Sequence, residues 1–572
     1  MESIGRFHRR TLEDSIRGEI MSQSPDRCAV LLLLGLSLLL WLPRFKGPID
    51  LRYDAGVYYI LGTSLADGKG YRLLNEPGDI QAIQYPPLLP AIVAVHQWIL
   101  GTSDTAVVGQ VLRISFFLMF TMWVITAYWV ARQYLVPIHA LFVGTITSLY
   151  LFSYFLSDLL FAEIPFALAV TLFFVVKRKS DKGFFNFLTI ATVFGAYLLR
   201  TTGIALLVAW VAESFVQKKW KPGAVRLAVS LIPILAWQGY IGWVTSGMEY
   251  KNPAYAYQRA PYQFYNVSYV ENLLMVDSFR PELGKAGLVD IADRFFQNLA
   301  IMPRSLGEGI SAKIEYWQSL QDKIESLCDL EYFDWQDYFP SWIARRLLSL
   351  VGFLVIGGII FLLVQGELCI PFFIAGSVGL MCLTPWPEQF PRYMTSLTPL
   401  LALAFVRLLV AICEFCSRRW RKIGGWLGMV FLQFGIFLVL VAEIHTARDA
   451  FQERRKIGSN YFFFDENWRD FEKSVDWLKH KVRAGAVIAT WSPHWVYLRT
   501  SHKAVMPPME ADPIKGQQLL DSVPVKYVIL DELNFLPFIE KYTEPTIKKH
   551  PHLWKLIDTS PTKKTRIFKR TD

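Results

Sequence analysis

The chain has 572 residues, of which 53% are apolar and only 19% charged, whereas an ordinary soluble domain carries about 25% charged residues. Mean hydropathy is +0.29, and the chain holds 41 Phe, 19 Trp and 25 Tyr. These figures argue against a soluble multidomain protein, against a disordered chain, and, despite the net charge of +10, against a nucleic-acid binder. The six cysteines show no readable disulfide framework, and Cys413-x-x-Cys416 lacks the second pair that a structural zinc site needs.

A membrane helix needs about 20 mostly apolar residues. Residues 1–27 are basic (Arg6, Arg9, Arg10, Arg17, Arg27), and no small-residue cleavage site follows the next apolar run. They read as a cytoplasmic tail ahead of a signal anchor at 28–43. Further apolar runs cover 107–131, 133–157, 227–248, 349–365, 368–387, 393–413 and 423–442, with shorter ones at 164–176, 183–199 and 201–212. Three basic clusters mark the cytoplasmic side: Lys177-Arg178-Lys179, Lys218-Lys219 with Lys221, and Arg418-Arg419 with Arg421-Lys422. All three share one side if 86–100, which starts Pro-Pro, lies in the interface instead of crossing. The fold expected is an α-helical polytopic membrane protein of about eleven (ten to thirteen) transmembrane helices. Its membrane part covers 28–444, with a first outer loop at 43–106 and a long outer loop at 246–346.

Beyond residue 445 the pattern changes. Residues 471–482 have helical spacing. Residues 486–490 and 526–530 read as buried strands with a helix around Leu519-Leu520 between them, and 566–569 as a closing strand. This predicts a soluble α/β domain over 445–572 on the outer face, with a parallel core. No glycine-rich phosphate loop follows 486–490. His494, in Trp491-Ser-Pro-His-Trp495, reads as a loop histidine.

Four stretches combine charge with membrane depth on the expected outer side. The first outer loop reads Asp50-Leu-Arg-Tyr-Asp54-Ala-Gly-Val-Tyr58-Tyr59, then Gly68-Lys-Gly-Tyr71 and Gln84-Tyr85-Pro86-Pro87-Leu-Leu-Pro90. On a helix, Asp54 and Tyr58 share one face. A carboxylate there is a candidate base, or else a helix cap. Ser157-Asp158-x4-Glu163-x-Pro165 places two carboxylates between apolar runs; they mark function or delimit a turn. Arg392-Tyr393 and, more weakly, Arg200-Thr-Thr-Gly203 offer guanidinium groups for a phosphate, or snorkel at the interface. The tyrosines between 250 and 269 suit either a sugar or the membrane interface.

In this order the stretches resemble the GT-C class of membrane glycosyltransferases, in particular the group of protein O-mannosyltransferases and lipid A aminoarabinose transferases. The similarity covers roughly residues 28 to 445. Two departures stand out: Ala55 replaces the acidic residue that often follows the first-loop aspartate, and Gln84-Tyr85 replaces the lysine that lipid A transferases carry before Pro-Pro.

The resemblance implies transfer of a sugar from a polyprenyl-phosphate donor, held in the bilayer, to a hydroxyl of a glycan, lipid or protein acceptor at the outer (periplasmic) face of a bacterial inner membrane, with inversion. It implies Asp54 as general base, Asp158 and Glu163 as shaping or acceptor-orienting groups, and Arg392 and Arg200 on the donor phosphate. Tyr58, Tyr59, Tyr85 and Tyr393 would line the substrate, and a divalent metal ion is an optional partner. Two rival classes are a transporter or flippase of lipid-linked glycans, which would need polar residues inside several spans, and a non-catalytic membrane scaffold.

Overall fold

The computed structural model describes residues 25–178, 183–312, 314–319, 342–533, 538–560 and 562–572. Arg6, Arg9, Arg10, Arg17, Lys179 and Cys328 lie outside the described residues. Among the described residues six helices are long and apolar enough to cross a membrane: Pro25–Arg44, Thr105–Arg132, Trp220–Ser246, Ala344–Val364, Thr398–Arg418 and Trp426–Ile457. A seventh span results if Pro137–Leu149 and Leu151–Asp158, which meet at 50°, are counted as one. The bend falls at Tyr150, whose backbone leaves the helical region (φ −53°, ψ 128°). The chain is thus a multi-pass membrane protein.

The count differs from the eleven spans expected. Gly183–Leu199, Thr201–Val216 and Cys369–Cys382 are apolar helices of 10 to 17 residues. At about 1.5 Å per residue they fall short of a core about 30 Å thick. Leu88–Leu100, expected in the interface, is a helix that exposes Val95, Trp98 and Ile99 while burying Leu89 and Val93.

The helices Thr398–Arg418 and Trp426–Ile457 lie side by side. A Cβ on Gly428 would lie 2.8 Å from Cys413 Cα, whereas fifteen residues of straight helix span about 22 Å. The two helices are therefore an antiparallel hairpin that returns the chain to the side from which it entered. Neighbouring helices pack backbone to backbone through glycine. A Cβ on Gly352 would lie 1.6 Å from the Pro303 carbonyl oxygen, and one on Gly358 2.0 Å from that of Ala404. Small residues give membrane helices this close approach, because lipid offers no hydrophobic drive to pack them.

The C-terminal region carries a five-stranded sheet of order β4-β3-β5-β7-β6. Its strands are β3 (Val487–Ala489), β4 (Lys503–Val505), β5 (Val525–Leu530), β6 (Trp554–Thr559) and β7 (Arg566–Arg570). β3 pairs in parallel with β4 and β5, while β7 runs antiparallel to β5 and β6. The expected strands at 486–490, 526–530 and 566–569 and the helix at 471–482 correspond to β3, β5, β7 and Glu466–Lys481. The first outer loop holds a small hairpin, β1 (Arg72–Leu73) against β2 (Ile80–Gln81).

The C-terminal region is tied to the first outer loop by hydrogen bonds at two places. Ala504 N donates to the Asn75 carbonyl (2.8 Å) and Asn75 Nδ2 to the Ala504 carbonyl (3.1 Å), so the loop borders edge strand β4. Buried Arg52 chelates Asp50 (2.7 Å) and donates to the Phe462 carbonyl (2.7 Å) and the Phe463 carbonyl (3.1 Å). It is thereby enclosed by Tyr461, Phe464 and Trp468 rings.

Candidate active site

Asp54 is the first residue of helix Asp54–Ala66, and the residue before it, Tyr53, has φ 58° and ψ −138°. A bulky residue at positive φ is a costly conformation that surrounding structure must impose. Here Arg52, locked to Asp50, precedes it and the Trp468 ring lies 5.6 Å from that of Tyr53. Asp50 in turn bridges to Leu159, its N–H reaching the Asp158 carbonyl at 3.0 Å and its carbonyl accepting from Leu160 N at 3.1 Å. The first outer loop is thus laid beside the turn that leads into helix Glu163–Lys177, whose first residue is Glu163.

Three further elements complete the group. The turn after Gly183–Leu199 delivers Arg200; a Cβ on Gly203 would lie 2.7 Å from Ala196 backbone atoms, so a glycine permits the tight reversal. Helix Phe390–Met394 delivers Arg392 and is pinned by the Tyr150 hydroxyl, which donates to the Pro391 carbonyl at 2.7 Å. The long outer loop delivers Tyr265.

The side chains form one alternating chain of charge. Arg392 Nη2 donates to Asp54 Oδ2 at 2.8 Å, Arg392 Nε donates to Glu163 Oε1, and Arg200 Nη1 pairs with the same oxygen. Tyr265 donates its hydroxyl to Asp54 Oδ1 at 3.3 Å. Glu163 is 3% exposed, Asp54 18% and Arg392 19%: the shared anion is buried, while the other two groups remain reachable. The Arg392 guanidinium lies over the Phe161 ring (4.4 Å) and that of Arg200 over Tyr393 (5.5 Å). Tyr265 lies in the outer loop, where burial, reinforced by the Asp54 carboxylate, pushes its hydroxyl well above the ordinary tyrosine range, so it stays a donor.

Beside this group opens a cavity of about 390 Å³. Glu163, Arg200, Gln84, Tyr269 and Tyr393 supply polar groups, and Phe166, Trp237, Ile241, Leu380 and Met381 supply apolar walls. An apolar chamber with a charged cluster at its margin is suited to a lipid that ends in an anion.

The structure places the sequence-predicted residues as follows. Asp54, Glu163, Arg392 and Arg200 come together, although they are spread over more than 300 positions. Tyr58 and Tyr85 meet beside them with ring centroids 4.7 Å apart and planes tilted by 47°, and Tyr393 lines the cavity. Tyr59 is buried elsewhere and donates to the Ser103 carbonyl (2.9 Å). Asp158 is not drawn into the group. It ends helix Leu151–Asp158, and its carboxylate pairs with Arg44 (3.3 Å) and Arg113 (3.3 Å), all at most 1% exposed. Ser157 accepts from the same Arg44 at 2.9 Å.

Tyr265 was legible in the sequence only as part of an aromatic cluster. Nothing local showed that it meets Asp54, 211 positions away. His494 is a helix residue, near the start of Pro493–Thr500 and 4% exposed.

The donor set around Asp54 fits a guanidinium better than a divalent cation, because Arg392 already bridges both carboxylates. Among the described residues no three His, Cys, Asp or Glu side chains stand together as metal ligands would.

No protein-family model matches the sequence, and no curated protein matches it. Solved structures do match in fold. The apo oligosaccharyltransferase of Archaeoglobus fulgidus superposes with a TM-score of 0.52 at 13% identity, over 89% of this chain and 69% of that one. The same organism's AglB, in complex with an inhibitory peptide and a dolichol-phosphate, gives 0.51 at 12% identity, over 94% and 74%. ArnT of Cupriavidus metallidurans, bound to undecaprenyl phosphate, gives 0.49 at 11% identity, over 94% and 97%. The chain therefore has a GT-C-like fold, shared with these oligosaccharyltransferases.

Proposed function

We propose that the chain is a glycosyltransferase that moves a sugar from a polyprenyl-phosphate-linked donor to an acceptor hydroxyl at the outer (periplasmic) face of a bacterial inner membrane. The observation that carries this reading is the placement of Asp54 on Arg392, with Arg392 and Arg200 sharing Glu163 at the edge of an apolar cavity. Each guanidinium carries five N–H donors, so Arg392 and Arg200 can keep their carboxylates and still donate to an incoming phosphate. A fold neighbour solved with a dolichol-phosphate supports a polyprenyl carrier.

In this mechanism the donor chain fills the apolar cavity and its phosphate meets Arg392 and Arg200. Asp54 takes the proton of the acceptor hydroxyl as that oxygen attacks the anomeric carbon. The bond from that carbon to the phosphate oxygen breaks, and the phosphate leaves with its negative charge held by the two arginines. A leaving phosphate needs no protonation, so one carboxylate suffices, and single displacement inverts the anomeric centre. Tyr58, Tyr85 and Tyr393 form the walls beside the transferred sugar. Asp158 would act at a distance, by holding the first loop in place.

The test uses the purified chain in lipid nanodiscs with a panel of undecaprenyl-phosphate hexoses and pentoses, radiolabelled in the sugar. Label should leave the lipid in the presence of envelope extract, and Asp54→Asn should lower that rate by about 10²- to 10⁴-fold. If the variant transfers sugar at the normal rate, the base assignment is wrong. A flippase would instead move the lipid across the bilayer with its sugar intact.

A further inference from the structure

One contact between the C-terminal domain and the candidate site runs through His494. His494 follows β3, and its ring meets Tyr265 edge to face, with centroids 4.4 Å apart and planes at 84°. Tyr265 is the residue whose hydroxyl donates to Asp54 Oδ1, and its ring also neighbours that of Tyr85, with centroids 6.4 Å apart. We propose that His494 is a positioning residue for sugar transfer: it wedges Tyr265 against Tyr85 so that the tyrosine hydroxyl fixes the plane of the Asp54 carboxylate. This rests on Asp54 acting as the base.

Four observations support the wedge. The helix that begins with Asp54 approaches His494 so closely that a Cβ on Gly56 would lie 2.9 Å from His494 Cβ. The segment before His494 is itself fixed, since Trp491 stacks on Phe538 (4.7 Å, 20°) and donates Nε1–H to Thr543 at 3.1 Å. Among the described residues His494 Nε2 has no hydrogen-bond partner, and burial lowers the imidazole to about 3. The ring is therefore neutral and acts through its shape and edge, with no charge to offer. Finally, Asp54 has two oxygens to hold. Arg392 holds Oδ2, and without the contact at Oδ1 the carboxylate can rotate about its own bond, away from the line of the acceptor proton. A modest misalignment of a catalytic group costs rate while leaving donor binding alone.

The experiment compares Tyr265→Phe, His494→Leu, His494→Phe and the double variant Tyr265→Phe/His494→Leu in the full-length protein, with Asp54→Asn as reference. Leucine fills the space without an aromatic edge, and phenylalanine restores the edge. The inference expects His494→Leu to lower kcat about tenfold with the donor KM unchanged, and His494→Phe to recover most of the rate. The double variant should be no slower than Tyr265→Phe alone. Losses that multiply, a failed rescue by phenylalanine, or a raised donor KM would overturn it. If Asp54→Asn keeps full activity, the base assignment fails and this inference with it. If Asp54→Asn is inactive while the losses multiply, only this inference fails. A second measurement needs no substrate: carbodiimide labelling of the Asp54 peptide, read by mass spectrometry. It should rise to the same level in His494→Leu, Tyr265→Phe and the double variant, and unequal or additive rises also overturn the proposal.

Discussion

Arg392 is the residue on which the candidate site turns, because one guanidinium reaches two carboxylates from different parts of the chain. Lysine carries the same charge as a single point and has no fork. Arg392→Lys is therefore expected to keep the fold but lower kcat/KM roughly 10²-fold, since one of the two carboxylates loses its anchor; steady-state kinetics on the folded variant would show this. Asp158 predicts the opposite pattern. Its carboxylate faces Arg44 and Arg113 in a fully buried setting, and removing one partner of such a pair costs about 3–5 kcal/mol. Asp158→Asn should lower the yield and melting temperature in detergent while the rate per folded molecule changes little. A well-folded Asp158→Asn protein that has lost its rate would return Asp158 to the reacting group.

At the scale of elements, strand β5 carries a pH-sensitive residue at its end. Asp531 is buried beyond Leu530 and is pushed up to about 7, chiefly by desolvation, against 3.8 for an ordinary aspartate. Between these values the folded chain holds a proton that the unfolded chain has released, so stability falls as pH rises from about 4 to 7. Asp531→Asn should remove this dependence and raise stability at pH 8 by an amount on the order of 4 kcal/mol. Thermal melts of both proteins at pH 5 and pH 8 check it: a gap that does not widen with pH would refute it.

Elements also mark what was legible in the sequence. Strands β3, β5 and β7 were readable because each is a short β-branched or aromatic run bounded by polar residues. β4 and β6 were not: Lys503–Val505 opens on a charged residue and buries only Ala504 and Val505, and Trp554–Thr559 buries little beyond Trp554. The charged members of the site were readable, because a carboxylate or guanidinium at membrane depth is conspicuous. Tyr59 and Asp158 carry the same residue types as true neighbours of the site. Only the three-dimensional path of the Asp50–Leu159 bridge separates Asp158 from Glu163, five positions later.

At the scale of the molecule, the helical hairpin Thr398–Ile457 sets the topology. Helix Phe390–Met394 precedes it and the C-terminal sheet follows it, so both must lie on one side of the membrane, together with Asp54. Cysteine-accessibility reporters at Lys69 and Lys564 should react from the same side, and one at Lys219 only from the other; a reporter at Lys564 that sides with Lys219 would overturn this arrangement. The hydrogen bonds from Arg52 to Phe462 and from Asn75 to Ala504 span 410 and 429 positions. Read as a sequence of events in synthesis, this separation becomes a delay. At about 5–20 residues per second, the Asp54 loop emerges about 20 to 90 s before the carbonyls that hold it exist. Until then Arg52 lacks the acceptors of its outer N–H groups, and Tyr53 lacks the support for its unusual backbone. The Asp54 carboxylate is thus set only after the 410 positions that separate Arg52 from Phe462 have been made.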